Sequence, residues 1–428
     1  MSDRLRVLVL SRSYPSDVLP MMGLWVERPT RLLAETCDVR VISPVPWCPP
    51  VPATGPLRQY ARFRTIPRRE LRAGVEVLHP RFVSGPGRSL YAFDARAQAL
   101  GMRRLVERLR ETFPFDLIHA HMIYPEGVVA HELSERYGVP FVVSEHAPWS
   151  ETWFRDARVR RKALSAGHAA ASLLAVSTYV RDTMATFGVD DERVHVVPVG
   201  VDGDTFRLGA PEARRKDQVL YVGWINYTKG IDVLLRAMTL LDDRRTPGRL
   251  LLVGGAAYRH TRLQEEELRG LADSLDLGDR VTFVGRKPHA EVARLMAESA
   301  VVVLPSRDES FGAVLVEALA SGTPVVATRC GGPEDIVTDE VGRLVPPESP
   351  EALADALAEV LSEPVRYPPE DLRSFALERF GWNGIVERIH KFYLDAASAT
   401  FGDPVTETPD VGCASGFEAN GCADSGRS

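Results

Sequence analysis

Two glutamates, Glu309 and Glu317, are the residues of this chain whose type and spacing point most directly to chemistry. They lie in the segment PSRDESFGAVLVEALASGTPVVATRCGGP, which runs from Pro305 to Pro333. One apolar run (AVVVLP) leads into this segment and another (TPVVAT) follows the pair. Short apolar runs are typical of buried strands, so the pattern predicts a strand, a turn, a helix and a second strand.

The predicted helix offers an anion site between the two carboxylates. Its apolar residues recur at three- and four-residue spacings, and they are Val314, Leu315, Ala318 and Leu319. Near Gly312 the helix N-terminus presents unpaired N–H groups and the positive end of the helix dipole, which suit a phosphate. Glu309 precedes this end, and Glu317 lies roughly 12 Å further along at about 1.5 Å per helical residue. The geometry predicts a sugar nucleotide, with sugar hydroxyls at one carboxylate and a ribose at the other.

At these residues the chain resembles the family 4 glycosyltransferases, whose paired glutamates and following EA-x-A-x-G-x-PV run are almost intact here. The resemblance implies an α/β protein with the GT-B fold: two facing Rossmann-like, doubly wound domains and a C-terminal crossover helix. It also implies transfer of a sugar from a nucleotide donor with retained anomeric configuration. The resemblance covers roughly residues 5 to 398. A YP…G-x-[FW]V opening is closest to the subgroup that acts on polysaccharide or envelope-glycan acceptors.

Length and composition are consistent with two ordinary globular domains. The chain has 428 residues, 45% of them hydrophobic and 26% charged. No apolar stretch is long enough to span a bilayer, and no signal-like segment opens the chain. The five cysteines lack zinc-like spacing and form no even set, so neither a metal site nor a disulfide framework is indicated. We therefore expect a cytoplasmic protein.

Basic residues outnumber acidic ones in residues 1–205, and acidic residues dominate the rest. Two basic groups stand out, residues 62–72 and the group Arg155, Arg158, Arg160, Arg161 and Lys162. These groups either contact anionic lipid at the inner membrane face, contact a phosphorylated acceptor, or form a solvated face. No nucleic-acid partner is expected.

Short apolar runs alternate with helical patterns in two separate series, as in two doubly wound sheets. We expect a first domain over residues 1–204 on the acceptor side and a second over 205–379 on the donor side. A crossover helix over 380–398 completes the first domain. Between the domains, Gly200 to Leu208 (GVDGDTFRL) resembles the family's linker. Residues 399–428 are poor in large apolar side chains and are expected to form a disordered tail.

The loop from Gly223 to Gly230 follows the first strand of the second domain and is the phosphate loop by position. The family usually has an arginine after the first glycine and a lysine before the last, and these cations neutralise the donor diphosphate. Lys229 matches the lysine, but Trp224 stands where the arginine is expected. Arg286, Lys287 or Arg12 are candidates to replace the missing charge.

The resemblance implies a set of donor-binding residues centred on this loop, on strand ends and on the two glutamates. These residues are Gly23, Gly223, Trp224, Lys229, Gly254, Gly285, Arg286, Glu309, Ser310, Phe311, Gly312, Ala313, Val314 and Glu317. Glycines at strand ends allow the backbone to approach a base or ribose closely. Lys229, Glu309 and His121 are the candidate catalytic residues.

The acceptor side is assigned to residues that follow strands of the first domain, because such residues line the crevice of an open α/β sheet. They are Tyr14, His121, Tyr124 and His146, whereas His119 is expected to be a core residue. No Asp-x-Asp motif follows a strand, so metal-independent transfer without a cofactor is expected. The alternatives are a nucleotide-sugar epimerase on the same fold and a non-catalytic protein that binds sugar nucleotides.

Overall fold

The computed structural model describes residues 4–20, 22–49, 58–85, 90–244, 246, 248–256 and 259–401. It contains two large sheets, one in each half of the chain. This is the predicted GT-B architecture of two doubly wound domains.

In the first half the strands are β1 (Arg6–Leu10), β2 (Asp38–Ile42), β3 (Val45–Pro46), β4 (Arg69–Arg72), β5 (Val75–Leu78), β6 (Arg81–Phe82), β7 (Leu117–His121), β8 (Phe141–Glu145), β9 (Ser172–Ala175) and β10 (Val194–Val196). The helices are α1 (Leu24–Leu33), α2 (Arg58–Ala61), α3 (Asp94–Thr112), α4 (Val128–Tyr137), α5 (Ala157–Ala169) and α6 (Thr178–Thr186). Six of these strands, β1, β2, β7, β8, β9 and β10, coincide with the apolar runs from which strands are predicted in this half. Those runs are Leu5–Ser11, Val39–Ser43, Asp116–Ala120, Phe141–Ser144, Leu173–Ser177 and Val194–Pro198.

In the second half the strands are β11 (Arg215–Trp224), β12 (Arg249–Gly255), β13 (Val281–Gly285), β14 (Ser299–Leu304), β15 (Val325–Thr328) and β16 (Gly342–Val345). The helices are α7 (Ile231–Asp243), α8 (Arg259–Ser274), α9 (His289–Glu298), α10 (Ala313–Ala320), α11 (Pro350–Ser362), α12 (Pro369–Phe380) and α13 (Trp382–Phe401). The strand order is β10-β9-β8-β7-β1-β2-β5-β4 in the first sheet and β13-β12-β11-β14-β15-β16 in the second. The strand pairs in the second sheet are parallel throughout.

Both faces of the first sheet are buried, which explains its continuous apolar strands. In β1, Leu8 and Leu10 belong to the main hydrophobic core, whereas Val7 and Val9 pack in a second core with residues of α1 and α13. Successive strand side chains point to opposite faces, so one apolar run serves both cores.

Several elements between residues 45 and 82 were not predicted. β3 and β6 form a small parallel sheet, and β4 pairs antiparallel with β5 at the edge of the first sheet. The β4–β5 turn has positive φ at both Ala73 (47°) and Gly74 (83°). Two consecutive positive φ angles are those of a type I′ hairpin turn. β16 was also missed.

The C-terminal helices return the chain to the first domain. The linker residue Val201 donates its N–H to the carbonyl of Phe380 over 2.7 Å, at the junction of α12 and α13. Beyond that junction α13 packs on the first sheet, with Tyr393 fully buried. The predicted crossover helix is α13, which runs from Trp382 to Phe401. The first residues of the predicted tail, 399–401, therefore belong to this helix. The rest of that tail, 402–428, lies outside the described residues.

Candidate active site

The loop that carries Glu309 joins β14 to α10 and is fixed by backbone contacts. Glu309 donates its N–H to the carbonyl of Cys330 over 3.2 Å, and its own carbonyl accepts the N–H of Gly332 over 2.8 Å. Gly312 caps the start of α10 in the left-handed region, with φ of 95°. This conformation favours glycine and turns the chain into the helix directly after Glu309.

Lys229 lies at the end of the predicted phosphate loop. Asn226 caps this turn by accepting the Lys229 N–H over 3.0 Å. The next residue, Gly230, has φ of 65°, and a Cβ there would lie 1.8 Å from the carbonyl oxygen of Pro305. The phosphate loop therefore packs closely on the loop that follows β14.

This packing brings two of the three candidate catalytic residues, Lys229 and Glu309, together. Lys229 Nζ lies 2.6 Å from Glu309 Oε2, although the residues are eighty positions apart in the chain. Their side chains are only 21% and 18% exposed. Because the ammonium has three donors, it can keep this contact and also bind an oxygen of a ligand.

A cavity of about 390 Å³ opens between the two domains and the linker. The first domain contributes Leu24, Trp25 and Arg28 of α1, and the second contributes the ends of β11 and β12. Six predicted donor-binding residues line it: Gly223, Trp224, Gly254, Arg286, Ala313 and Glu317. The remaining predicted donor-binding residues do not line this cavity. These residues are Gly23, Lys229, Gly285, Glu309, Ser310, Phe311, Gly312 and Val314.

Close approach at the ends of β11 and β12 shapes the floor of the cavity. A Cβ at Gly254, where φ is 147°, would lie 1.7 Å from the carbonyl oxygen of Gly223. Glycine is therefore required here by sterics. Phe311, also predicted for the donor, is buried, and its ring lies 5.9 Å from that of Phe380.

Glu317 reaches the cavity from α10. Burial raises the pKa of its carboxyl to about 8, although the positive charge of Arg28 in α1 acts to lower that pKa. Arg28 in turn forms an ion pair with Asp202 of the linker. Sequence reasoning did not identify Arg28, although its spacing from Leu24 and Trp25 places it on the same face of α1.

The predicted acceptor-side histidines lie side by side. His121 Nδ1 is 2.9 Å from His146 Nε2, and their rings stack with centroids 5.2 Å apart. The ring of His146 also lies 6.4 Å from that of Trp25, which lines the cavity. The histidine pair therefore adjoins the cavity on the side of the first domain.

His119 is a core residue, as its position predicted. Its Nδ1 lies 2.6 Å from the Tyr393 hydroxyl of α13, and its Nε2 lies 2.8 Å from the Ser144 hydroxyl. Burial lowers the pKa of His119 to about 3 and of His146 to about 4, and it also lowers the pKa of His121 well below its usual value. All three imidazoles are neutral at pH 7, so they offer hydrogen bonds rather than positive charge.

The two tyrosines predicted for the acceptor side are buried. Tyr124 donates its hydroxyl to the carbonyl of Tyr91 over 2.7 Å, and burial raises its pKa to about 12. The Tyr14 hydroxyl has no hydrogen-bond partner among the described residues, and burial raises its pKa as well. Neither phenol can act as a base near neutral pH.

The first domain touches the Glu309 loop directly through the start of α6. Ser177 Oγ donates to the carbonyl of Ser310 over 2.6 Å, and Tyr179 donates to Asp308 over 3.1 Å. Thr178 donates its N–H to Asp335 over 2.6 Å. This contact was not predicted, because no motif marks it.

Within the described ranges, no group of three or more His, Cys, Asp or Glu side chains is arranged to hold a metal ion. Within the same ranges no helix has the length and apolar character needed to cross a membrane.

Comparisons with known proteins match both halves of this chain to glycosyltransferases. Residues 205–378 match the family described as Glycosyl transferases group 1, and residues 30–205 match Glycosyltransferase Family 4. The D-inositol 3-phosphate glycosyltransferase of Acidothermus cellulolyticus is 33% identical over 68% of this chain and 69% of its own length. The protein of that name from Frankia alni is 33% identical over 77% of this chain and 86% of its own.

Solved structures share the fold at lower identity. Sucrose-phosphate synthase from Thermosynechococcus elongatus superimposes with a TM-score of 0.73 at 24% identity, covering 92% of this chain and 100% of that one. HepE of Anabaena in complex with UDP-glucose has a TM-score of 0.68 at 22% identity, covering 91% and 100%.

Proposed function

The chain belongs to the family 4 glycosyltransferases, and we propose that it transfers a sugar from a nucleotide-sugar donor to an acceptor hydroxyl with retained anomeric configuration. The acceptor is a glycan, a lipid-linked sugar or a small molecule. The observation that supports this proposal best is the contact between Lys229 and Glu309 beside the N-terminus of α10. A cation, a carboxylate and unpaired helix N–H groups at one point match the junction between a diphosphate and a sugar.

In this proposal each charged residue binds one part of the donor. Lys229 binds the diphosphate, Glu309 binds hydroxyls of the transferred sugar, and Glu317 binds the ribose from within the cavity. Negative charge develops on the nucleoside diphosphate as it leaves. Each preorganised hydrogen-bond donor aimed at this charge increases the rate by about 10²–10³. The leaving phosphate takes part in deprotonating the acceptor hydroxyl, and transfer needs neither metal nor cofactor.

The histidine pair orients the acceptor. Because His121 and His146 are neutral and one ring donates to the other, the pair keeps a hydrogen-bonding ring nitrogen beside the cavity without adding charge. The named relatives act on D-inositol 3-phosphate. Inositol phosphates therefore belong in the acceptor panel beside glycans and lipid-linked sugars.

The test is product analysis of purified protein with a panel of nucleotide sugars, with and without acceptors. Formation of a glycoside by wild type and its loss in Lys229→Met supports the proposal. Lys216→Met is the matched control, since Lys216 is an exposed lysine at the start of β11. A donor whose sugar is isomerised without acceptor identifies an epimerase. A donor that binds and is never consumed identifies a non-catalytic sugar-nucleotide-binding protein.

We further propose that the enzyme works in the cytoplasm, in peripheral contact with the anionic inner face of the membrane. Exposed apolar side chains gather near the acceptor side: Leu90 is 41%, Phe93 51% and Trp153 37% exposed. The Arg158 guanidinium lies 5.7 Å from the Phe93 ring centre, so apolar and basic groups meet there. Aromatic and arginine side chains together suit an anionic interface.

Co-sedimentation with vesicles of anionic or neutral lipid tests this contact. Phe93→Ser should lower binding to anionic vesicles, and Val365→Ser, which replaces a 90% exposed apolar residue of the second domain, is the control. Equal binding to both kinds of vesicle, or to neither, argues against the contact.

A further inference from the structure

The donor diphosphate needs more positive charge than Lys229 supplies. A nucleotide-sugar diphosphate carries two negative charges, and Lys229 already faces the carboxylate of Glu309. Trp224 stands at the position where an arginine is expected and brings no charge. A second cation should therefore reach the site from elsewhere in the cavity wall.

Three cations line the cavity, and two of them are already matched by carboxylates. Arg28 pairs with Asp202, and Lys287 Nζ lies 2.9 Å from Glu291 Oε1. Within the part of the chain that the structure describes, the third cation, Arg286, contacts only neutral groups. Its charge is thus the one left for a ligand.

The contacts of Arg286 hold it in place while leaving donors available. Its guanidinium lies over the Trp224 ring, 4.8 Å from the ring centre, and one N–H group donates to the carbonyl of Ala256 over 2.6 Å. A guanidinium has five N–H donors, so the hydrogen bond to Ala256 leaves others that can bind oxygens of a ligand.

The backbone at Gly223 and Trp224 is held by two contacts. The Trp224 carbonyl accepts the hydroxyl of the fully buried Tyr221 over 2.7 Å. Trp224 also follows Gly223, whose carbonyl forms the close approach to Gly254. These contacts place Trp224 in the cavity wall, where its partly exposed ring meets the Arg286 guanidinium.

We propose that Arg286, positioned by Trp224, is the second diphosphate-binding cation of this enzyme. The charge that the family places directly after the first strand is supplied here from the end of the third strand, with the aromatic ring as its support. This assignment rests on the proposed function, since it requires a nucleoside-diphosphate donor.

The competing role for the same pair is to stack against the nucleobase. The two roles make different predictions for ligands that share a base and differ in phosphate number. Loss of a contact to the β-phosphate, the diphosphate contact proposed for Arg286, weakens binding of the diphosphate selectively, because the monophosphate lacks that group. Loss of a base contact weakens binding of mono- and diphosphate alike.

The experiment is calorimetric titration of the full chain with UDP and UMP, GDP and GMP, and ADP and AMP. Arg286→Gln, which keeps hydrogen-bonding capacity and removes the charge, should weaken the preferred diphosphate by about 10- to 100-fold, the range for loss of a charged hydrogen bond. Its effect on the matching monophosphate should stay within about twofold. Arg294→Gln, which removes an exposed i,i+4 ion pair with Glu298, is the control.

A double variant tests the relocation of charge. Arg286→Gln combined with Trp224→Arg should regain much of the lost diphosphate affinity, because it restores a cation at the usual position. Equal loss of mono- and diphosphate, no loss, or failure of the double variant to regain affinity overturns the assignment while wild type still binds. Wild type that binds none of the three diphosphates overturns the proposed function and this assignment together.

Discussion

Glu309 and Glu317 are the residues on which the proposed division of labour depends. Glu309 faces Lys229 at the start of α10, whereas Glu317 lines the cavity. We expect Glu317→Ala to raise the donor Kd about tenfold, since it removes hydrogen bonds made in the ground state. Glu309→Ala should lower kcat more than it changes Kd, since it disturbs the cation at the leaving group.

Steady-state kinetics with the identified donor, together with donor titration by calorimetry, measures both parameters. Glu340→Ala is the control, because Glu340 is exposed and lies outside the cavity wall. Equal effects of both substitutions on affinity alone would contradict the division of roles.

The buried histidines make the folded state sensitive to acid. Their folded-state pKa values are depressed, to about 3 for His119 and about 4 for His146, so the unfolded chain takes up protons that the folded chain does not. The stability that this provides is complete above the unfolded pKa near 6.5 and is lost as pH falls from there toward 4. Each histidine should account for about 2 kcal/mol of loss by pH 5.

Urea unfolding between pH 7 and pH 5 checks this expectation. His146→Asn should lose about 2 kcal/mol less than wild type across that interval. The exposed His168, replaced in the same way, is the control. An unchanged pH dependence in His146→Asn would show that this imidazole is not buried as a neutral group.

At the scale of elements, the N-terminus of α6 contacts a residue of the other domain in addition to its own N-cap, Ser177. Thr178, the first residue of the helix, donates its N–H and its hydroxyl to the Asp335 carboxylate. A carboxylate at a helix N-terminus is favourable because of the unpaired N–H groups and the helix dipole. Since Ser177 also holds Ser310, the orientation of α6 is coupled to the loop that carries Glu309.

We therefore expect Asp335→Asn to lower kcat several-fold with little change in donor affinity, because the loop is less well fixed while the cavity is intact. Rate and binding measurements on the variant separate the two effects. Asp339→Asn, at a 92% exposed carboxylate, is the control. A fall in donor affinity without a fall in kcat would assign this contact to binding.

At the scale of the whole molecule, Arg373 joins the linker to the second domain. Its guanidinium donates to the carbonyls of Phe206 over 2.5 Å, Ala320 over 2.7 Å and Gly203 over 2.9 Å. Arg373→Ala should lower the free energy of unfolding by about 2–4 kcal/mol, because three carbonyls lose a charged partner. Urea unfolding measures this loss of stability. Arg379→Ala is the control, since the Arg379 guanidinium lies over the Phe375 ring. A loss below about 0.5 kcal/mol would show that water replaces these bonds.

The sequence by itself determined the two sheets and the helix after Glu309, and it predicted the residues of the candidate donor site. These features depend on local patterns: apolar runs of strand length, helical spacing and glycines at turns. The short strands between residues 45 and 82 were not predicted, because two-residue strands and an edge hairpin leave little periodic signal in the sequence.

Only the tertiary structure decided which distant residues meet. It placed Lys229 against Glu309, His121 against His146, and Arg286 over Trp224. It also showed that Phe311, Tyr14 and Tyr124 are buried, and that Arg28 and Asp335 contribute to the site from unmarked positions. Such contacts depend on how two sheets, a linker and a returning helix pack, and packing of this kind involves residues too far apart in the chain for any local pattern to record.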